Sequence, residues 1–180
     1  METPEIPKET IEKAKDSDSG AIAEIFEHYY ARIYRGLYYR VRTAQDAEDL
    51  TSEVFMKVVR SIQRQSGNFE AWLHTIAKNT LTDYYRRKAS RKEYSADEKE
   101  LEAVPDNNQR DGGCFTQEEL KTAITKLTGE QQEVIVLRFI EGCDNEETAR
   151  ITGKSVGAVK ALQFRGLAAL KDILKEDCRL

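Results

Sequence analysis

Asp144-Asn-Glu-Glu-Thr-Ala-Arg-Ile-Thr-Gly-Lys-Ser-Val-Gly-Ala-Val-Lys160 carries the strongest architectural signal in the chain. Asp144 can cap one helix, with Glu147 reaching back to close a capping box. Ala149 is small where two helices would cross closely. Gly153 sits where the turn between them needs a positive φ. Ser155 can cap the second helix, and Val159 packs back on the first. An alanine, a glycine four residues on and an apolar residue six further on is the spacing of a DNA-binding helix-turn-helix. A plain helical hairpin with a glycine turn is the alternative. In the first reading the helix from Ser155 enters the major groove and exposes Ser155, Gly157, Ala158, Lys160, Ala161, Phe164 and Arg165. Arg165 or Lys160 can then read guanine or hold phosphate, and Phe164 can meet a thymine methyl.

Toward the N-terminus of this motif, Thr128–Ile140 reads as a short helix. Leu120, Ile124 and Leu127 recur on one face of another, which opens on Thr116-Gln-Glu-Glu119, a capping-box pattern. With the long helix running to about Leu174, residues 116–180 make a four-helix unit. Residues 93–115, polar, acidic and broken by Pro105 and Gly112-Gly113, read as a flexible linker.

The first half of the chain is also helical. Ile22, Phe26, Tyr29, Ile33, Leu37 and Val41 recur at steps of three and four, with Ser17–Gly20 as the entry turn. Leu50, Val54, Val58 and Ile62 form a second stripe, with Phe55 alongside, on a helix from about Ala44 whose start is crowded with Asp46, Glu48, Asp49 and Glu53. Gln63–Asn68 is a polar break containing Gly67. A third helix, about Phe69–Arg91, turns Trp72, Ile76 and Leu81 inward and ends basic. Residues 1–92 therefore read as a three-helix bundle, and the chain as all-α: two small helical domains joined by the linker.

Composition agrees. Of 180 residues 33% are charged and 39% hydrophobic, enough for small helical cores, and the three prolines leave nearly all of the chain free to be helical. The formal charge is −4, unusual for a free-standing DNA binder. Positive charge is nevertheless concentrated at Lys78, Arg86, Arg87, Lys88, Arg91 and Lys92, and again at Lys154, Lys160, Arg165 and Lys171. Two local phosphate contacts, each weak alone, fit a chain that works inside a larger assembly.

Cys114, Cys143 and Cys178 form no CxxC and no His/Cys cluster, so no metal site, cofactor or disulfide framework is expected and a reducing cytosol is the natural compartment. No HExxH, GxSxG, P-loop or GxGxxG occurs, so no catalytic residue is assigned and the chain is expected not to be an enzyme. Met1–Pro7 lacks the basic start and apolar run of a signal peptide. No apolar stretch approaches the roughly 20 residues that span a membrane, so no membrane insertion is expected.

The chain resembles the extracytoplasmic-function branch of the sigma-70 family. Four segments carry the resemblance, in the family's order: Asp46-Ala-Glu-Asp-Leu-Thr-Ser-Glu-Val-Phe55, Phe69-Glu-Ala-Trp-Leu-His-Thr-Ile-Ala-Lys-Asn-Thr-Leu-Thr-Asp-Tyr-Tyr-Arg-Arg87, Leu127-Thr-Gly-Glu-Gln-Gln-Glu-Val-Ile-Val-Leu-Arg-Phe-Ile-Glu-Gly142, and the helix-turn-helix with its recognition helix Ser155-Val-Gly-Ala-Val-Lys-Ala-Leu-Gln-Phe-Arg165. The resemblance implies a promoter-reading subunit of bacterial RNA polymerase. Residues 1–92 would be sigma region 2, which binds the core enzyme and recognises and melts the −10 element. Residues 116–180 would be region 4, which reads the −35 element.

By the same resemblance, Asp46, Asp49, Glu53 and Lys57 face the clamp of the large catalytic subunit, and region 4 meets the flap of the other. Arg64, Ser66 and Asn68 lie in the loop that captures a flipped-out base, a step that needs short polar side chains near the splayed base. Lys78, Asn79, Arg86 and Arg87 line the path of the −10 strand, with Tyr84 or Tyr85 stacking on a base. Ser155, Ala158, Lys160, Ala161, Phe164 and Arg165 face the −35 element. Ser52 stands where many relatives carry glutamine, and Leu162-Gln163 where Arg-Leu is usual. The implied partners are core polymerase, promoter DNA and a cognate anti-sigma factor, with no small-molecule substrate, and the implied location is the cytoplasm, at the nucleoid. The rival reading, a free-standing regulator, uses the helix-turn-helix and leaves the acidic 45–62 and basic 69–91 helices without a role.

Overall fold

The computed structural model describes residues 6–94 and 115–177. Among these residues all regular structure is helical. They form two compact units, one holding residues 6–38 and 43–94, the other residues 39–42 and 115–177. Most of the expected linker, from 95 to 114, lies outside the described residues, as do Cys114 and Cys178. Cys143 is buried.

The first unit holds four helices: α1 Lys8–Lys15, α2 Ser19–Tyr38, α3 Ala44–Ser61 and α4 Phe69–Tyr94. The three long ones are those read from periodicity. The short α1 is additional. It follows Pro7, with Glu9 in its first turn and Lys13 and Lys15 in its last, so side-chain charge opposes the helix dipole at both ends. Its apolar content is slight, but Ala14 is fully buried and α1 packs along α2. The 16–18 turn, where Ser17 takes φ 67°, then reverses the chain, and Asp18 Oδ1 accepts the Ala21 amide at 2.7 Å to cap α2.

The core of this unit is Ile25, Tyr29, Ile33 and Leu37 of α2, Leu50, Val54 and Val58 of α3, Ile62 just beyond it, and Leu73, Ala77 and Leu81 of α4. Two registers differ from the pattern read in the sequence. Ile25 is buried where Phe26 was expected, and Phe26 is 42% exposed. Stripes 22-26-29-33 and 21-25-29-33 both fit a 3.6-residue period; in the fold the second, Ala21, Ile25, Tyr29 and Ile33, is the buried one. On α4, Leu73 and Ala77 carry the burial, while Trp72 and Ile76 are half-buried and Trp72 leans on Phe69 at 5.6 Å.

The second unit holds α5 Gln117–Thr125, α6 Gly129–Ile135, α7 Asn145–Thr152 and α8 Val156–Asp177. Reciprocal capping boxes open α5, α6 and α7 at Thr116/Glu119, Thr128/Gln131 and Asp144/Glu147. The helix expected to reach Ile140 does so, but Val136–Ile140 is π-helical, and the Glu141 amide donates to the Val136 carbonyl at 2.9 Å. Two clusters fill the interior. Ala123, Ile124, Leu127, Ile135, Val136 and Leu170 form one, and Val134, Ala149, Val159 and Leu162 the other. Gly166 lets α8 approach α6 closely: a Cβ there would lie 2.8 Å from Ile135 Cγ1.

Candidate functional site

In the second unit the turn chemistry sets the geometry of the helix pair. Asp144 Oδ1 accepts the Glu147 amide and Glu147 Oε2 accepts the Asp144 amide, both at 2.8 Å, which fixes the start of α7. Gly153 ends it in the left-handed conformation, φ 68° and ψ 23°, and Lys154 donates its amide to the Ala149 carbonyl at 3.1 Å. Ser155 Oγ then accepts the Ala158 amide at 3.2 Å and starts α8 two residues after the turn. Ala149, Val159 and Leu162 are buried together, so the opposite face of α8 is fixed outward.

That face carries Ser155, Gly157, Lys160, Ala161, Phe164 and Arg165, with Ala158 half-buried at its edge. Phe164 is 77% exposed, far more than a packing role would leave it. Arg165 Nε donates to the Ala161 carbonyl at 3.4 Å. Lys154, counted among the local cations, pairs instead with Glu130 on α6. Gln163, one of the departures from the family pattern, accepts from Arg138 Nε at 3.3 Å, and Arg138 also donates to the Cys143 carbonyl. Arg138 thereby joins the end of the π segment, the loop before α7 and α8.

In the first unit, Lys78, Asn79, Tyr85, Arg86 and Arg87 are all exposed on α4. Lys78 and Tyr85, and Asn79 and Arg86, are seven residues apart and so share neighbouring stripes of one side. Tyr84 differs. Its hydroxyl accepts from Lys88 Nζ at 3.1 Å, the same ammonium lies 5.4 Å from its ring centre, and the ring is half-buried. Of the two tyrosines named for stacking, Tyr85 is the exposed ring.

The loop ahead of α4 begins as a 3₁₀ turn, Ile62–Arg64, and is shaped from within by buried Gln65, whose Nε2 donates to the Gly67 carbonyl at 3.0 Å. Gly67 has φ 75°. Arg64, Ser66 and Asn68 are exposed. Asn68 already has a local role, because its Oδ1 accepts the Ala71 amide at 2.8 Å as the cap of α4, which leaves its amide N–H groups for any base.

The acidic side chains of α3 divide. Asp46 sits on the capping residue, with Thr43 Oγ1 donating to its Oδ2 at 2.8 Å. Asp49 points to solvent and accepts from Gln45 Nε2 at 3.0 Å. Glu53 and Lys57 turn toward α4 rather than outward. Glu53 Oε1 lies 2.9 Å from Lys57 Nζ, and its Oε2 accepts from Arg87 Nη2 at 3.1 Å. Hydrogen bonds from Lys57, then from Arg87, hold the Glu53 carboxyl below the usual carboxylate range against the opposing effect of burial.

What lies outward beside Asp49, one and two turns along α3, is apolar. Phe26, Ser52, Phe55, Met56, Val59 and Arg60 line an open groove of about 470 Å³. Met56 is 53% and Val59 49% exposed. An aromatic row continues it along α2: Phe26 to Tyr30 at 4.8 Å, Tyr30 to Tyr34 at 6.3 Å and Tyr34 to Tyr38 at 6.0 Å between ring centres. Periodicity alone does not mark this groove, because Val54 and Val58 already account for the core stripe. Met56 and Val59, apolar residues on the face opposite that stripe, are the available signal.

Among the described residues no helix is long and apolar enough to cross a membrane, and no three His, Cys, Asp or Glu side chains gather as metal ligands would.

Residues 25–91 match the family model Sigma-70 region 2, and residues 117–170 match Sigma-70, region 4. The chain is 35% identical to the ECF RNA polymerase sigma factor BldN of Streptomyces coelicolor, over 95% of this chain and 67% of that one. It is 33% identical to the ECF RNA polymerase sigma factor SigE of Mycolicibacterium smegmatis, over 84% and 60%. With the RNA polymerase sigma factor CarQ of Myxococcus xanthus it shares 30% identity, over 92% and 96%. Two solved structures share the fold. One is CnrH in complex with the cytosolic domain of CnrY, with a TM-score of 0.70 and 22% identity over 93% of this chain and 96% of that one. The other is the sigma factor RpoE of Bartonella quintana in complex with the anti-sigma factor NepR, with a TM-score of 0.69 and 23% identity over 85% and 96%. The chain belongs to the extracytoplasmic-function branch of the sigma-70 family, the promoter-specific initiation factors of RNA polymerase.

Proposed function

We propose that this chain docks on core RNA polymerase through α3 and directs it to promoters, residues 1–92 handling the −10 element and residues 116–180 the −35 element. The observation that carries the reading is the presence, in one chain, of a capped helix-turn-helix with an outward Phe164 and a separate helix whose exposed side is cationic. Docking on the polymerase uses Asp49 and the groove of Phe26, Ser52, Phe55, Met56, Val59 and Arg60; an exposed apolar groove with an acidic neighbour suits an amphipathic helix with basic edges. The −10 strand runs along Lys78, Asn79, Tyr85 and Arg86, with Arg64, Ser66 and the Asn68 amide at the loop. The −35 element meets Ser155, Ala158, Lys160, Ala161, Phe164 and Arg165.

A cognate anti-sigma protein completes the proposal. Its support is that two proteins of this fold were solved as complexes with CnrY and with the anti-sigma factor NepR. The cytoplasm, where polymerase and promoters are, is the place of action.

The test is run-off transcription from the promoter of the protein's own gene, with core polymerase plus and minus this chain, beside a pull-down of core. Core binding and promoter-dependent transcripts, both lost in an Asp49→Lys/Met56→Lys variant, are expected. No core binding, with tight duplex binding by the chain alone, overturns the reading in favour of a free-standing regulator.

A further inference from the structure

Glu53 on α3 and Arg87 on α4 were expected to serve different partners, the polymerase and the −10 strand. They are bonded to each other. Arg87 Nη2 donates to Glu53 Oε2 at 3.1 Å while Lys57 Nζ lies 2.9 Å from Oε1, so each carboxylate oxygen holds one cation. The two cations are not held equally. Lys57 is also bonded to Thr80 Oγ1 at 3.0 Å and lies 4.0 Å from Asp83. The Arg87 side chain is 58% exposed against 35% for Lys57. Arg86, next along α4, is 79% exposed and lies 3.9 Å from Asp83.

We propose that Glu53 is a positioning residue that couples polymerase docking to DNA contact. In the free chain its carboxylate holds Arg87 and cancels that charge toward phosphate. Docking on α3 draws Glu53 to a cation of the polymerase, and Arg87 is handed to the −10 strand. This rests on the reading of α3 as the docking face and α4 as the −10 face. A guanidinium bonded to a carboxylate must exchange that partner for a phosphate, and no net ionic contact is gained until the carboxylate is satisfied elsewhere. Exposed ion pairs are weak, so the pair acts as a bias that a competing cation overcomes, worth a few-fold in DNA affinity. Lys57, tied to Thr80, stays in place when Arg87 leaves.

The test uses the full chain and a fluorescein-labelled oligothymidylate in low salt, with anisotropy as the readout, for wild type, Glu53→Gln, Arg87→Gln and the double variant. Glu53→Gln is expected to tighten binding roughly two- to fivefold. In the Arg87→Gln background the same change is expected to do nothing. An equal gain with and without Arg87, which marks a bulk charge effect, overturns the coupling, as does no gain at all. If Arg87→Gln weakens neither oligonucleotide binding nor promoter opening by the assembled polymerase, the −10 reading of α4 fails. If it weakens both while the two substitutions act independently, the coupling alone fails.

Discussion

Arg32 on α2 donates from Nη1 to Glu70 Oε1 at 3.0 Å, and both side chains are more than nine-tenths buried. The pair ties the middle of α2 to the first turn of α4, immediately after the loop assigned to base capture. Removing one member takes the ion-pair partner from a charge that stays buried. Glu70→Ala is therefore expected to lower stability by about 3–5 kcal/mol, read as a shift in the urea unfolding midpoint. Arg32→Met/Glu70→Leu, which removes both charges and refills the space, should recover most of that loss.

Gly153 has open space around its Cα, and a Cβ added there would meet nothing within 4 Å, so its cost of substitution is conformational. Gly153→Ala should destabilise the second unit by about 1–2 kcal/mol, and Gly153→Asn by less, because asparagine tolerates the left-handed region. Thermal melts of the three proteins check the order.

Gly166 is the opposite case. Its helical φ suits alanine, which by propensity alone gains about 1 kcal/mol in a helix interior. A Cβ there would meet Ile135 Cγ1 at 2.8 Å, and Ile135 is fully buried. Overpacking of this kind costs about 1–3 kcal/mol. Gly166→Ala should thus be neutral to destabilising in a melt, never stabilising.

Met56→Lys places a charge on a side chain that is already 53% exposed. The melting temperature should barely move, as for other surface substitutions, while affinity for core polymerase falls at least about tenfold in a pull-down titration, the loss expected of a residue near the centre of an interface.

On α4, Arg86→Gln should weaken promoter binding by the holoenzyme similarly across sequences and reduce the slope of log affinity against log salt by about 0.7–0.9, one phosphate contact. Phe164→Ala should leave that slope unchanged and reduce discrimination between −35 sequences by about 1 kcal/mol or more, measured on promoters that differ at one −35 position.

The parts legible in the sequence are those governed by local chemistry. Asp144/Glu147, Thr116/Glu119, Gly153 and Ser155 act through bonds spanning three or four residues, and each does in the fold what its spacing predicts. Parts that depend on a second element were not legible. Whether Ile25 or Phe26 faces inward depends on which helices pack around α2, and α1, one of them, has too few apolar residues to announce itself. Glu53 and Lys57 read as part of the docking face, and the bonds that Arg87 and Thr80 of α4 make to them are visible only in the fold. Likewise Asn68 reads as a base contact, and its role as a cap emerges once α4 is seen to begin at Phe69. Tyr84 and Tyr85 are equivalent in the sequence; the half-buried pairing of Tyr84 with Lys88 distinguishes them.

Val134, Ile135, Val136 and Leu137 are buried in succession, which one face of a regular α-helix does not permit. The pattern works because α6 and the π-helical segment that continues it run between two interiors, Val134 serving the helix-turn-helix cluster and Ile135 and Val136 the α5/α8 cluster. Neighbouring residues on one rigid rod thus belong to different cores, and neither core can melt without disturbing the other. The DNA-reading pair of helices is for that reason not a detachable foldon: it opens with the whole of the second unit, and its local stability approaches that of the entire four-helix assembly.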